Sequence, residues 1–173
     1  MTGAELEALD ALAAKSLVDP RRQPDDTTRL VMLETVRQYA LARLADEPVG
    51  DTVRHRHLQH YLHLVQRTVP QLSTHNELEA LRVLDRENDN ITAAFQWARQ
   101  NAPGDALCLA GYLSAYWQIR ADQDRLSWLD AALEGAGDEA PAEYRARAQF
   151  GRAQALGVLN EHQPRSRCTP TCR

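Results

Sequence analysis

The stretch RLVMLETVRQYALARL, residues 29–44, decides how this chain is read. Its first part, Arg29-Leu30-Val31-Met32-Leu33, is an aliphatic run of strand length. The rhythm then changes. From Thr35 onward, Val36, Tyr39, Ala40 and Leu44 recur at steps of three and four, which draws one apolar face of a helix. Thr35 and Gln38 stand at capping-box spacing, so the helix is expected to open at Thr35. Asp46-Glu47-Pro48-Val49-Gly50 closes it.

Upstream, Leu6, Leu9, Leu12, Ala13 and Leu17 form another helical face that ends near Ser16. Leu17-Val18 begins something extended, and residues 20–27, PRRQPDDT, read as a loop by composition. Helix, strand, loop and strand in that order suggest a β-hairpin with a long tip. That is the wing of a winged helix, and residues 1–47 would supply part of one.

Downstream the chain is helical. Over 51–68, Leu58, Tyr61, Leu62 and Val65 fall at i, i+3, i+4 and i+7. Past Pro70, Leu81, Leu84, Ile91, Phe95 and Ala98 keep that rhythm, with Asn88 in one core slot. This linking region, 51–100, ends in one long helix or in two joined near Asp89, which has the chemistry of an N-cap. From Gly104 to Ala136 the pattern is a helical hairpin turning near Ala121-Asp122-Gln123-Asp124. Leu107, Leu113, Tyr112, Tyr116 and Trp117 face Leu126, Trp128, Leu129 and Leu133 as core, not as a ligand cage. A further helix follows Pro141 with Tyr144, Ala148, Gly151, Ala155 and Leu159. The 38-residue step from Pro103 to Pro141 suits tetratricopeptide-like (TPR-like) repeats over 103–160, incomplete because residues 161–173 make no amphipathic helix and read as a disordered tail. The expected fold is mainly α: a partial winged helix with one short β-hairpin, then a TPR-like antiparallel helical array.

Composition agrees with a folded, acidic chain. Of 173 residues, 43% are hydrophobic and 25% charged, and the net charge is −4. That balance disfavours a strongly basic nucleic-acid module or a polybasic membrane binder. No apolar run approaches the roughly 20 residues of a membrane span. Glu5, Glu7 and Asp10 stand where a secretory leader needs basic residues, so a cytoplasmic location is expected. Cys108, Cys168 and Cys172 are too few for a disulfide scaffold.

No residue is assigned a catalytic, cofactor-binding or metal-binding role. His55, His57, His60 and His63 lack the i, i+4 pair preferred for zinc on a helix and read as a polar face. Cys168 and Cys172, with His162, fall short of a zinc ligand set. Asp85, Glu87 and Asp89 have no nucleophile nearby in sequence and read as capping and solvated residues. Lys15, Arg21, Arg22, Arg29 and Arg37 surround the wing. There Arg21, Arg22 and Arg29 are the candidates for nucleic-acid phosphates. Asp25 and Asp26 weaken that field, and helix 5–16 would turn Glu5, Glu7 and Asp10 toward the backbone. At the other end, Phe150, Leu156, Val158 and Leu159 would lack a covering helix. They form the candidate interaction surface and a route to self-association.

Residues 6–18 (LEALDALAAKSLV), 29–44, 53–65 (VRHRHLQHYLHLV) and 78–98 (LEALRVLDRENDNITAAFQWA) together resemble the arm of STAND regulators. These are signal-transduction ATPases related to AfsR- and LuxR-type bacterial transcription regulators and to NB-ARC proteins. The MLETVRQYA core carries the resemblance most specifically, and the helical repeats carry it weakly. The resemblance implies an ATP-binding domain ahead of this region and a helical sensor after it. The winged helix would pack on the nucleotide domain and help hold the ADP-bound state. No Gly-x-x-x-x-Gly-Lys-[Ser/Thr] loop is present, and the first helices of a full winged helix are missing, so the chain reads as an internal fragment. In related plant and animal ATPases a Met-His-Asp motif occupies the place of Met32-Leu33-Glu34, with its histidine on the nucleotide phosphate. Leu33 has no donor, so that contact is not transferred, and Leu33 is expected to pack in the core. The resulting expectation is a non-enzymatic interaction module without cofactor, whose partners are the ATPase domain or other regulator domains. Winged-helix nucleic-acid binding is the second reading.

Overall fold

The computed structural model of the protein describes residues 3–23, 26–137 and 140–161. The expectations resting on Asp25, His162, Cys168, Cys172 and the tail lie outside the described residues, as do the side chains of Leu126, Val158 and Leu159. The fold is mainly α with one short antiparallel hairpin. It divides into two compact units, Met1–Val53 and Arg54–Arg173.

The first unit contains α1 (Gly3–Ala14), β1 (Asp19–Arg22), β2 (Thr28–Val31) and α2 (Glu34–Asp46). Helix α1 stops in a Schellman motif. Ser16 takes the left-handed conformation (φ 56°), its N–H donates to the Ala13 carbonyl, and the Leu17 N–H donates to the Leu12 carbonyl. The hairpin is longer than composition suggested, because Pro20-Arg21-Arg22 belong to a strand and not to the loop. The register explains why a proline fits. The Gln23 N–H donates to the Thr27 carbonyl, and counting back by the antiparallel alternation puts Pro20, opposite Leu30, at a position that needs no N–H donor.

Helix α2 departs from expectation in three ways. It opens one residue early, with Leu33 at the N-cap and no side-chain cap, so the Thr35–Gln38 capping box does not form. Glu34 takes Gln38 instead: it accepts from the Gln38 carboxamide and from the Arg37 guanidinium. Those bonds, Arg37 first, hold its carboxyl down to about 2. Nor is any residue of α2 buried, although Val36, Tyr39, Ala40 and Leu44 read as a core face. Leu33 is 67% exposed, not packed in a core, and Tyr39 is 68% exposed. Leu6, Leu12 and Leu17 are exposed too, and Val18 is the one apolar side chain of this unit that is buried among the described residues. A helix without a packed face draws little stability from tertiary contacts.

The second unit holds one continuous core. Helix α3 (Gly50–Thr68) contributes Leu58, Tyr61, Leu62 and Val65, as its spacing predicts. A 3-10 turn, Val69–Ser73, carries Pro70 and leads into α4 (Glu77–Asn101). This is one helix of 25 residues, so Asp89 caps nothing. Asn88 is half-buried, and its carbonyl accepts from the Thr92 hydroxyl. Helix α5 (Pro103–Ile119) is the most buried element, from Ala106 to Trp117. Helices α6 (Gln123–Gly135) and α7 (Ala142–Glu161) pack on it and on each other.

The turn between α5 and α6 is built on Ala121, a non-glycine residue at φ 53°. The Ala121 N–H donates to the Gln118 carbonyl and the Asp122 N–H to the Trp117 carbonyl, a second Schellman closure. Asp122 then caps α6 by accepting from the Arg125 N–H at 3.1 Å. Left-handed backbone strains alanine but not glycine. Ala121→Gly is therefore expected to raise stability by about 0.5–1 kcal/mol in urea denaturation. A loss of stability would show that this turn is unstrained.

Candidate functional site

In the second unit, α4 is tied to the α5–α6 hairpin by two polar arms. Asp85 and Thr92 stand seven residues apart and so share one face of α4, roughly 10 Å apart along its axis. Asp85 accepts from the Tyr116 hydroxyl at 2.7 Å and from the Arg120 Nε at 2.9 Å, and Arg120 adds a second ion-pair contact. Thr92 accepts from Arg125 Nη1 at 2.6 Å. Arg125 is also paired with Asp122 at 3.2 Å and lies 4.9 Å from the centre of the Trp128 ring. The same three helices share an aromatic cluster. Phe95 stacks on Trp128 at 4.6 Å, and Trp117 meets Trp128 edge-on at 5.8 Å. The geometry joins a long helix to a hairpin through directional bonds together with aromatic packing.

Sequence reasoning treated Asp85, Glu87 and Asp89 as capping and solvated residues. In the structure Asp85 holds Tyr116 and Arg120, Glu87 accepts from the Tyr61 hydroxyl at 3.1 Å and from Asn90, and Asp89 is exposed. Tyr61, Tyr116 and Arg120 lie 26 to 35 residues from the carboxylates they bond, which no local pattern reveals.

Tyr116 gives this junction a pH signature. Burial, and then the bond to Asp85, push its hydroxyl up to about 12 from an ordinary value near 10. The folded state therefore keeps the proton longer than the unfolded chain does. Its contribution to stability is whole below about pH 10 and is lost as the pH rises through about 12. Stability should fall over that window, and Tyr116→Phe should lessen the fall. Denaturation at stepped alkaline pH compares the two, and parallel curves would count against the junction.

The end helix is held closely. Gly111 faces the Ala148 backbone of α7, and Gly151 faces the Ser114 side chain of α5. Arg152 pairs with Asp130 at 2.6 Å, and Arg147 lies 4.0 Å from the Tyr112 ring centre. Phe150 and Leu156 are 65% and 55% exposed. Six residues of helix turn them about 120° apart, to either side of the buried line of Ala148, Gly151 and Ala155. Leu159 lies outside the described side chains.

On the hairpin, Arg21 stands opposite Arg29 and shares its face, while Arg22 projects from the other face. Arg21 is paired with Asp19 at 2.9 Å and Arg22 with Asp26 at 3.0 Å. A groove of about 360 Å³ beside the hairpin is lined by Leu17, Val18, Pro20 and Val31, with Ser16, Asp19 and Arg21 as its polar residues. Among the described residues, no three His, Cys, Asp or Glu side chains gather to hold a metal. His57 and His60 lie against Tyr61, at 4.7 and 4.9 Å between ring centres. Burial, and then His60, lower the affinity of His57 for its proton. Cys108 is buried, and that burial pushes its thiol up. None of the described helices is long and apolar enough to cross a membrane.

The chain is similar to proteins of Mycobacterium tuberculosis (strain ATCC 25618 / H37Rv) and Mycobacterium bovis (strain ATCC BAA-935 / AF2122/97), each named "Putative HTH-type transcriptional regulator". In both, the identity is 36% over 152 residues, covering 76% of this chain. The match covers 17% of each relative's length, so the chain corresponds to a small part of a much longer protein. No family model matches the chain, and no solved structure matches it.

Proposed function

We propose that this chain is a non-enzymatic protein-interaction module of a STAND-type, LuxR/AfsR-like transcriptional regulator. It couples a nucleotide switch to a helical sensor. The observation that carries this reading is the similarity, across 76% of the chain, to proteins named HTH-type transcriptional regulators. The order of elements supports it further: a hairpin, then MLETVRQYA leading from it into a helix, followed by packed helices of TPR-like spacing.

The mechanism is mechanical. An effector that binds the helical array favours one packing of α4 against the α5–α6 hairpin over another, and it shifts the balance only by that difference in affinity. The Asp85 and Thr92 arms make the α4 junction directional, so a shift in the hairpin is transmitted to α4. The exposed apolar residues of α2 are the contact face for the nucleotide-binding domain. Mixing this chain with the ATPase domain of such a regulator should give association at tens of micromolar in sedimentation or calorimetry. Absence of association at that concentration would defeat the reading.

The winged-helix reading places Arg21, Arg22 and Arg29 on nucleic-acid phosphates. The aspartates on Arg21 and Arg22 and the split of the arginines between two faces weigh against it. A salt-dependent gel shift that Arg21→Ala and Arg22→Ala weaken would revive it. The expected result is a flat titration at low salt.

A further inference from the structure

The outward side of α3 carries Arg56, His60, His63 and Arg67, all exposed. Their spacing is four, three and four residues. On a helix that spacing places all four within about 60° of one another, on a line about 16 Å long. Directly behind them, Leu58, Leu62 and Val65 are buried, so the line is fixed facing solvent. Neither Arg56 nor Arg67 is in an ion pair among the described residues, unlike Arg21, Arg22, Arg37, Arg82, Arg120 and Arg152, each of which lies on a carboxylate. In a chain of net charge −4, this is a row of cations and hydrogen-bond donors without acids of its own.

We infer that this face of α3 docks an acidic α-helix of a partner protein, one whose carboxylates recur at the same four-three-four spacing. The inference rests on the protein-interaction reading and supplies its partner chemistry. The spacing is that of a helix–helix seam, so a second helix lying along α3 meets all four residues in turn. Two guanidiniums and two imidazoles offer donors suited to carboxylates. A nucleic acid fits the face less well. The net negative charge of the chain repels a long polyanion, and the stripe concentrates its positive charge on two arginines at its ends. Exposed ion pairs are individually weak, so the face selects and orients a partner more than it holds one.

The test uses the full chain and a labelled, alanine-based helical peptide with glutamates at the four-three-four positions, read by fluorescence anisotropy. A peptide of equal composition with its glutamates spread around the helix is the comparison, and a duplex oligonucleotide is the third probe. The in-register peptide should bind about tenfold tighter than the spread one. The Arg56→Glu/Arg67→Glu double variant should remove that advantage, whereas Arg99→Glu on the exposed end of α4 should keep it. Both variants are checked for an unchanged circular dichroism spectrum and melting temperature. Equal binding of the two peptides, or an advantage that survives in the double variant, overturns the inference. So does an oligonucleotide that binds tighter than the peptide and is lost with the same double variant. If the double variant still associates with the ATPase domain, that domain docks elsewhere. The interaction reading then stands, whatever becomes of the α3 face.

Discussion

Gly151→Val is expected to destabilise the second unit by about 3 kcal/mol and to loosen α7 from α5. The cause is a close approach of two helices at small residues. A Cβ added at Gly151 would land within contact distance of the Ser114 Cβ and hydroxyl. Ser114 cannot swing aside cheaply, because it is buried and its hydroxyl donates to the Gly111 carbonyl at 2.9 Å. Nearly one turn away, at the same approach, a Cβ added at Gly111 would meet the Ala148 backbone nitrogen at 3.2 Å. The prediction has an internal rescue. Gly151→Ala should be tolerated much better in a Ser114→Gly background than alone, since the second change removes the obstructing atoms. Urea denaturation of the four proteins in that cycle gives the coupling directly. Additive effects would show that the helices do not meet where described.

The second large effect is at Trp117. Trp117→Ala should cost about 3–5 kcal/mol, because the indole is 1% exposed and fills the centre of the aromatic cluster. Phe95 and Trp128 stack beside it, and their contacts depend on its edge holding them in place. The loss should appear as a lowered denaturation midpoint and as reduced near-ultraviolet dichroism from the remaining tryptophans. Trp128→Phe should cost less, since Trp128 is only half-buried and phenylalanine keeps the stacking face. If Trp117→Ala melts like the parent chain, the cluster is not the centre of the core.

Both predictions lie where the sequence could be read well. From Leu58 onward, apolar residues recur at helical steps because α3 and α4 bury one side in a shared core, and that burial is what the period records; α5, buried on nearly all sides, reads as an almost continuous apolar run. The prolines also marked element starts: Pro103 opens α5, and Pro141 directly precedes α7. Residues 6–44 misled for the converse reason. Their apolar residues have helical spacing, but among the described side chains only Val18 is buried, so spacing implied a core face that is absent. The start of α2 was missed because Glu34 satisfies Arg37 and Gln38 within the helix, which competes with the capping box. The Asp85–Tyr116–Arg120 junction was invisible because sequence names the ionisable groups but not partners 31 and 35 residues away. The α3 stripe was legible in part as a polar face. Its directed basic character emerged only once the opposite side was seen to be buried.

The proposal that this chain works by touching another protein domain is tested most directly by hydrogen exchange. The chain would be measured alone and with the nucleotide-binding domain of a regulator of the same type. Alone, α2 should exchange rapidly, because it has no buried residue, while α5 should be the slowest element. With the domain present, slowed exchange across α2 is the predicted result. Exchange in α2 unchanged at saturating domain, or already slow in the isolated chain, would contradict the account.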